Sequence, residues 1–195
     1  MTTELVGDWM ETYTGLRFYP ASPSVDQICI EDIAHGLANT ARYGGQALKF
    51  YSVAQHAILV SFLAPYPYAL AGLLHDASEA YLCDIPRPVK VLLPDYQLLE
   101  AEVMSVIREK FRKYDPVMGL DLHHRWVKYA DNLALVTEAA TLIASGGRDW
   151  TVEWEGVELS PISDWLIQDP WSPEDAERRF LSRFKMLTGW FHDEG

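Results

Sequence analysis

Cysteine is scarce in this 195-residue chain, which contains only Cys29 and Cys83. Two cysteines are too few for a disulfide framework, so we expect a reducing compartment. Basic residues are few as well, because 16 Lys and Arg stand against 28 Asp and Glu, which gives a formal net charge of −12. A chain this acidic is repelled by phosphate backbones, which argues against binding to duplex nucleic acid but leaves small anionic substrates open.

Long apolar runs are also missing. The most apolar stretch, AILVSFLAPYPYALAGLL, is interrupted by Pro65 and Pro67 and falls short of the roughly 20 apolar residues that span a bilayer. The first residues, MTTELVGDWMETY, have neither the basic start nor the apolar centre of a signal peptide. We therefore expect a cytoplasmic protein without a membrane partner, located in the host cytoplasm if a phage encodes it.

Hydrophobic residues make up 49% of the chain, enough to bury one sizeable core, and we expect a single domain over residues 1–195. Apolar residues recur with helical spacing between turn signals, which predicts an all-α protein. The predicted helices cover residues 31–43, 53–62, 67–82, 94–114, 122–144 and 173–187, with Asp121 as the N-cap of the fifth. Residues 1–30 are expected to be irregular, and residues 148–165 to form a small β-hairpin insertion.

The stretch HDASEAYLCDIPRPVK, residues 75–90, places ionisable residues within an otherwise apolar predicted helix. An unpaired aspartate inside such a helix costs several kcal/mol, so Asp76 needs a cation or strong partners. Any one histidine there is more often an ordinary core residue, but two imidazoles and two carboxylates together suit a divalent cation with positions open for water. The candidate metal ligands are His56, His75, Asp76 and Asp131, and the ion could be manganese, cobalt, zinc, nickel, iron or magnesium.

This pattern resembles that of the HD-domain phosphohydrolases, in which a histidine, a His-Asp doublet and a later aspartate follow in the same order. Residues 75–90 are similar to the corresponding segment of bacterial 5′-deoxynucleotidases and phage dATP triphosphohydrolases, and the resemblance extends from about residue 31 to about residue 140. It implies an HD-type helical bundle that binds a small deoxynucleotide, uses a divalent metal and associates with copies of itself.

The resemblance also implies roles on the doublet helix. Glu79 takes the position of the catalytic glutamate, and its spacing of four residues from His75 independently suits general acid–base work beside a metal-bound water. Asp84 stands where the deoxynucleotidases contact the deoxyribose and exclude ribose. Glu138 is seven residues after Asp131 on the same predicted helix face, a position from which it can support a ligand.

Four further residues are candidate substrate contacts. Arg42 matches the position where the family places an arginine near the phosphate. Tyr43 follows where deoxynucleotidases carry an aromatic residue, often tryptophan, against the nucleotide. Lys90 and Lys128 lie near the doublet and near the last aspartate, and both are candidate phosphate contacts. Base preference would depend on pocket walls, for which Phe18, Tyr19 and Tyr43 are the aromatic candidates.

Together these residues predict a phosphohydrolase in which water on the metal attacks the α-phosphorus of a deoxynucleotide. Lys90 and Lys128 favour a dATP-type triphosphohydrolase, which releases deoxynucleoside and triphosphate. A 5′-deoxynucleotidase acting on monophosphates is the alternative. Two other classes stay open, namely an HD-fold di-iron oxygenase using His123 and His124, and a nucleotide-binding module without catalysis.

Overall fold

The structure, a computed structural model, describes residues 7–115, 120–162 and 169–190. Within these residues helices dominate, and two pairs of two-residue antiparallel strands accompany them, which confirms the predicted all-α class with a small hairpin. The helices are α1 (Ile30–Asn39), α2 (Val53–Leu63), α3 (Ala69–Leu74), α4 (Glu79–Leu82), α5 (Arg87–Lys90), α6 (Pro94–Phe111), α7 (Arg125–Leu142) and α8 (Pro173–Thr188). The strand pairs are β1 (Met10–Glu11) with β2 (Arg17–Phe18), and β3 (Glu153–Trp154) with β4 (Val157–Glu158).

Helix α2 lies at the centre of the molecule and packs against α1, α3, α7 and α8. Residues 53–61 of this helix are all buried, as expected for a helix that is apolar on nearly every side. Ser52 begins it as an N-cap, because its hydroxyl oxygen accepts a hydrogen bond of 3.1 Å from the backbone N–H of Gln55. The polar residues of α2, His56 among them, are therefore held in the interior.

Two glycines allow the close helix packing that positions the site. A Cβ atom at Gly72 of α3 would lie 3.2 Å from the carbonyl oxygen of Val60 in α2. A Cβ atom at Gly36 of α1 would lie 2.8 Å from the Cβ atom of Ala80 in α4. A larger residue would not fit at either glycine unless the helices moved apart. These close contacts therefore hold α3 and α4, the helices on either side of residues 75–78, in place.

The predicted helices at 53–62, 94–114 and 173–187 agree with α2, with α6 and its final 3-10 turn, and with α8. Helix α8 shows why such segments are predictable, since it buries Ala176, Phe180 and Phe184 along one face and exposes polar residues elsewhere. Ser172 caps it as expected, accepting a hydrogen bond from the backbone N–H of Asp175. Among the residues that the structure describes, no helix is long and apolar enough to cross a membrane.

The predicted helix 31–43 is too long, because α1 ends at Asn39. Thr40 and Ala41 are extended, and this segment pairs with residues 51–53 through two backbone hydrogen bonds, from Arg42 N to Tyr51 O at 2.9 Å and from Val53 N to Thr40 O at 3.0 Å. Arg42 therefore lies in a 3-10 turn after the helix and not on its last turn.

The single helix predicted over 67–82 is also wrong, because the chain breaks into α3 and α4. His75 Nδ1 donates a hydrogen bond of 2.8 Å to the carbonyl oxygen of Gly72, which therefore does not accept the next bond of an α-helix. The backbone continues instead with i→i+3 hydrogen bonds, including that from Glu79 N to Asp76 O at 2.9 Å. The proline segment that follows contains the one-turn helix α5.

Helix α7 begins three residues later than predicted. The ring nitrogen of His124 accepts a hydrogen bond from the backbone N–H of Trp126 and so acts as the N-cap. The carboxylate of Asp121, the predicted cap, accepts instead from the backbone N–H of His123, in the turn before the helix.

Candidate metal centre

The four predicted metal ligands lie together, from three separate parts of the chain. His56 Nε2 is 3.3 Å from His75 Nε2 and 3.4 Å from Asp131 Oδ1. Asp76 Oδ2 lies 3.1 Å from His75 Nε2 and 3.5 Å from His56 Nε2. Neighbouring ligand atoms of a tetrahedral zinc site are about 3.3 Å apart, since each is about 2.0 Å from the ion. The cluster of His56, His75 and Asp131 could therefore hold a metal ion, with Asp76 beside it.

Both imidazole rings are oriented so that Nε2 faces the cluster. His75 Nδ1 lies 2.8 Å from the carbonyl oxygen of Gly72, which can only accept, so Nδ1 carries the proton and Nε2 offers a lone pair. His56 Nδ1 lies 2.7 Å from the Glu138 carboxylate, which fixes the same tautomer. Hydrogen bonds of this kind orient metal-ligating histidines in known metalloproteins.

Glu138 is fully buried on α7 and serves several partners at once. Its carboxylate accepts hydrogen bonds from the hydroxyl groups of Tyr43 at 2.9 Å and Tyr51 at 3.0 Å, besides its contact with His56. Burial raises the pKa of Glu138, but His56 and the nearby Arg42 outweigh burial and hold that pKa below its ordinary value. Glu138 is therefore a buried carboxylate whose ionised form is stabilised by His56, Arg42 and the Tyr43 hydroxyl.

Arg42 joins this support to the ligand cluster. Its side chain is only 11% exposed, with Nε 3.2 Å from Glu138 Oε2 and Nη1 3.6 Å from Asp76 Oδ2. Burial lowers the pKa of Arg42, but the charges of Glu138 and Asp76 outweigh burial and raise it above its usual value. The guanidinium is thus permanently positive and lies beside the predicted metal ligands, as a phosphate contact requires.

The cluster stabilises positive charge at its centre. Burial raises the pKa values of Asp76 and Asp131, but the imidazoles beside them outweigh burial and hold both pKa values well below the ordinary range. Burial lowers the pKa of His56, but the carboxylates of Glu138 and Asp131 outweigh it and raise that pKa to about 9. The same field would stabilise either a second proton on His56, at Nε2, or a metal cation that replaces this proton.

Glu79 begins α4, is only 5% exposed and has one carboxylate oxygen without a hydrogen-bond partner. Its other oxygen, Oε1, lies 3.6 Å from Lys90 Nζ. Burial raises the pKa of Glu79 well above its ordinary value, and the negative charges of Asp76 and Asp84 raise it further. A buried and incompletely bonded carboxyl group beside candidate metal ligands is typical of a functional residue.

The two predicted lysines reach the site but are already paired. Lys128 Nζ lies 2.7 Å from Asp131 Oδ2, and more than half of the Lys128 side chain is exposed. Lys90 Nζ lies 2.7 Å from Glu100 Oε1 and also approaches Glu79. Each lysine would have to share or exchange its carboxylate partner to contact a phosphate.

Two cavities meet at the cluster. One cavity, of about 650 Å³, is lined by the predicted substrate contacts Arg42, Tyr43 and Asp84. Its apolar wall is formed by Ile85, Pro86, Pro88, Leu135, Ile143 and Trp150. The other, of about 410 Å³, is more polar and contains His75, Gln97, Glu100 and His123. Asp76, Asp131, Lys90 and Lys128 border both. The candidate site therefore has an apolar and a polar side, with the cluster between them.

Comparison with known proteins gives one match over nearly the whole chain. The chain is 42% identical over 180 residues to the uncharacterized protein YfdR of Escherichia coli strain K12, and the match covers 92% of this chain and 96% of YfdR. The chain belongs to the YfdR family. It is also 38% identical over 113 residues to an uncharacterized protein of Rhodobacter capsulatus, which covers 53% of this chain and 58% of that protein. No protein-family model matches the chain.

The aromatic walls of this YfdR-family site differ from those expected. Phe18 is completely buried and stacks on Tyr81 with ring centroids 4.5 Å apart, so it does not line the cavity, and Tyr19 is not among the cavity residues. Tyr43 does line it, together with Trp150, which sequence analysis missed. Trp150 lies outside the segment of family resemblance, and only its position after a glycine turn could have drawn attention to it.

The extra histidines considered for a second metal do not join the cluster. His124 caps α7 and stacks on Tyr68 with ring centroids 3.9 Å apart. His123 borders the polar cavity. Within the described residues, the group suited to hold a metal is formed by His56, His75 and Asp131.

Proposed function

We propose that the protein is a metal-dependent phosphohydrolase that cleaves deoxynucleoside 5′-phosphates at the α-phosphorus, with deoxynucleoside triphosphates as the first candidate substrates. The observation that carries this proposal is the meeting of His56, His75, Asp76 and Asp131 beside the buried guanidinium of Arg42 and the incompletely bonded Glu79. Candidate cation ligands, a candidate anion contact and a candidate acid–base group thus lie close to one another, and the charge of Asp76 acts on Glu79.

The donor set fits a divalent transition metal. Imidazole nitrogens with carboxylates suit manganese, iron, cobalt, nickel or zinc, whereas magnesium prefers oxygen ligands alone. His56, His75, Asp76 and Asp131 would hold the ion. When bound, such an ion supplies Lewis-acid stabilisation of phosphoryl oxygens and lowers the pKa of a coordinated water.

The chain's own residues supply proton transfer and charge balance. Glu79 accepts the proton that the attacking water loses as it bonds to the α-phosphorus, and returns that proton to O5′ as the bond between phosphorus and O5′ breaks. Arg42 donates hydrogen bonds to the phosphoryl oxygens, where negative charge grows. Glu138 keeps Arg42 and His56 in place through contacts of 3.2 and 2.7 Å. The products are the deoxynucleoside and either triphosphate, from a triphosphate substrate, or orthophosphate, from a monophosphate.

Triphosphates are favoured by the space on the polar side. The cavity of about 410 Å³ shares Asp76 and Asp131 with the apolar cavity, and Lys90, Lys128 and His123 border it. A nucleoside in the apolar cavity would direct its phosphates toward this side. The β- and γ-phosphates then have room, and Lys90 and Lys128 can contact them.

A second candidate, hydrolysis of deoxynucleoside monophosphates, is favoured by the ion pairs of the same lysines. Lys90 is bound to Glu100 and Lys128 to Asp131, each at 2.7 Å, so much of their positive charge is already balanced. A monophosphate needs only Arg42 and the metal. The two candidates share the site and the attack on the α-phosphorus, and they differ only in the leaving phosphate product.

Product analysis tests the proposal. Purified protein is incubated with dATP, dGTP, dAMP, dGMP and ATP in manganese, cobalt, zinc or magnesium, and phosphate products are separated by anion exchange. Triphosphate from a deoxynucleoside triphosphate supports the first candidate, and orthophosphate from monophosphates alone supports the second. Absence of turnover with every nucleotide in every metal would overturn both and favour the oxygenase or the binding module.

A further inference from the structure

The hairpin insertion reaches the candidate site. Trp150 precedes β3, lines the apolar cavity and is 42% exposed. Its indole ring lies 6.1 Å from the ring of Tyr43, at an angle of 40° between the ring planes. These two aromatic rings thus approach each other from the insertion and from the turn after α1, at the wall of one cavity.

The insertion is attached firmly to α7, which also carries Asp131. Trp154 of β3 packs edge-on against Tyr129 of α7 with centroids 5.5 Å apart, and Arg125 of α7 forms an ion pair with Glu155 in the hairpin turn. After the hairpin, the backbone N–H of Ile162 donates to the hydroxyl of Thr137 in α7 at 3.2 Å. The insertion therefore has a defined position relative to the cluster.

The turn that presents Trp150 is seated on the same helix. A Cβ atom at Gly147 would lie 2.8 Å from the Cβ atom of Ala139 in α7, and Gly147 has a φ of +68°, which favours glycine. The backbone N–H of Trp150 donates to the carbonyl oxygen of Gly147 at 2.9 Å. The backbone that places the indole is thus fixed by a close contact and by a turn hydrogen bond.

Tyr43 and Trp150 differ in what they can offer a ligand. The Tyr43 hydroxyl is committed to Glu138, and the Arg42 guanidinium lies over its ring at 5.4 Å. Trp150 is 42% exposed and lines a cavity whose apolar side chains, apart from Tyr43, are aliphatic or proline. A flat apolar group entering this cavity would therefore find the indole as its largest available contact surface.

We propose that Trp150 is a specificity-determining residue that packs against the nucleobase, so that the insertion supplies one wall of the nucleoside cavity. This inference rests on the proposed function, since it assigns the base to the apolar side of the same site. Because a base stacks favourably on an aromatic side chain, removal of the indole should weaken nucleoside binding about ten-fold or more.

Binding of the base and binding of the phosphates can be measured separately with two probes, neither of which contains the bond between phosphorus and O5′ that the proposed reaction breaks. The fluorescent nucleoside 2-aminopurine deoxyriboside reports the base side, since stacking on an aromatic ring quenches its emission. Inorganic triphosphate, measured by calorimetry, reports the cluster and its cations. Metal-loaded wild-type protein and the variants Trp150→Ala, Trp150→Phe and Trp9→Ala are titrated with each probe. Trp9 is the matched control, an exposed tryptophan beside Arg17 outside the cavity.

The expected result is specific to the base probe. Trp150→Ala should bind 2-aminopurine deoxyriboside about ten-fold more weakly with less quenching, Trp150→Phe should keep most of the affinity, and triphosphate binding should be unchanged in both. Equal nucleoside affinity in wild type and Trp150→Ala would overturn the inference while the proposed function stands. A loss of both probes in Trp150→Ala would also overturn it, since the residue would then support the site as a whole. If wild-type protein binds neither probe, the proposed function itself is wrong.

Discussion

His56 Nδ1 and Glu138 Oε1 lie 2.7 Å apart, and both side chains are completely buried. The contact joins the central helix α2 to α7, and it turns the other nitrogen of His56 toward Asp131 and His75. The same buried carboxylate thereby contacts both a candidate metal ligand, His56, and the candidate phosphate contact, Arg42.

Replacement Glu138→Gln should weaken metal binding. The amide keeps the shape but loses the charge that fixes the His56 tautomer, and loss of such a supporting group typically lowers metal affinity about 10- to 100-fold. Titration with cobalt(II), followed by its visible absorption, measures this without any need for turnover. Glu102→Gln on the exposed side of α6 is the control. Unchanged cobalt affinity in Glu138→Gln would show that His56 does not depend on Glu138.

Replacement Glu79→Gln should abolish most turnover and leave the metal bound. The amide cannot take up the proton of the attacking water, and general acid–base groups typically contribute about 100-fold or more. Metal content by mass spectrometry and the unfolding temperature should stay near the wild-type values. Wild-type rates in Glu79→Gln would remove this residue from the mechanism.

Replacement Asp84→Ala should reduce the preference for deoxyribose over ribose. Asp84 borders the apolar cavity beside Pro86, where the sugar of a bound nucleoside would lie. The ratio of kcat/KM for dATP to that for ATP is the measurement, and it should fall about ten-fold or more. If this ratio stays the same, Asp84 does not contact the sugar.

Replacement Gly36→Ala should destabilise the fold and displace Glu79. The new Cβ atom would lie 2.8 Å from both the Cβ atom and the carbonyl oxygen of Ala80, the residue after Glu79. Overpacking of this kind costs about 1–3 kcal/mol in the free energy of unfolding, which urea denaturation measures. Gly36→Ala combined with Ala80→Gly should recover only part of the loss, because the backbone contact persists. Wild-type stability of the single variant would contradict the close packing of α1 on α4.

The Cys29 thiol should react slowly at neutral pH. Burial raises the pKa of Cys29 to about 11, and the thiol lies 3.1 Å from the Asp32 carboxylate. Only the thiolate is nucleophilic, so alkylation should be slow below pH 9 and should accelerate as the pH rises toward that pKa. Iodoacetamide labelling of Cys83→Ser, followed by mass spectrometry from pH 7 to 10, measures Cys29 alone. A rate that does not change over this range would show that the thiol is already ionised.

Much of the helical fold can be predicted from the sequence because local signals decide it. Helix α8 has a serine cap, a first-turn proline and an apolar face, and it lies where these signals place it. The breaks after Asn39 and Leu74 could not be predicted in this way. The first depends on pairing between residues 40–42 and 51–53, and the second on a ring-to-backbone bond of His75.

The residues of the candidate site likewise differ in whether a local sequence signal could predict them. The candidate metal ligands could be selected because their residue types are unusual inside apolar helices, and Glu138 because it follows Asp131 by two helical turns. Trp150 carried no such signal. It reaches the cavity because contacts such as that of Trp154 with Tyr129 and of Gly147 with Ala139 hold the insertion on α7, and a contact between separate segments leaves no periodic trace in the sequence.

The most direct test of the account is the position of the oxygen that water contributes. Metal-loaded protein is given dATP, and separately dAMP, in water enriched in oxygen-18, and the products are examined by phosphorus NMR and mass spectrometry. The account predicts one heavy oxygen on the phosphorus that was bonded to O5′, in released triphosphate or orthophosphate, and an unlabelled deoxynucleoside. Label in the deoxynucleoside, or release of diphosphate or of the terminal phosphate alone, would contradict attack at the α-phosphorus.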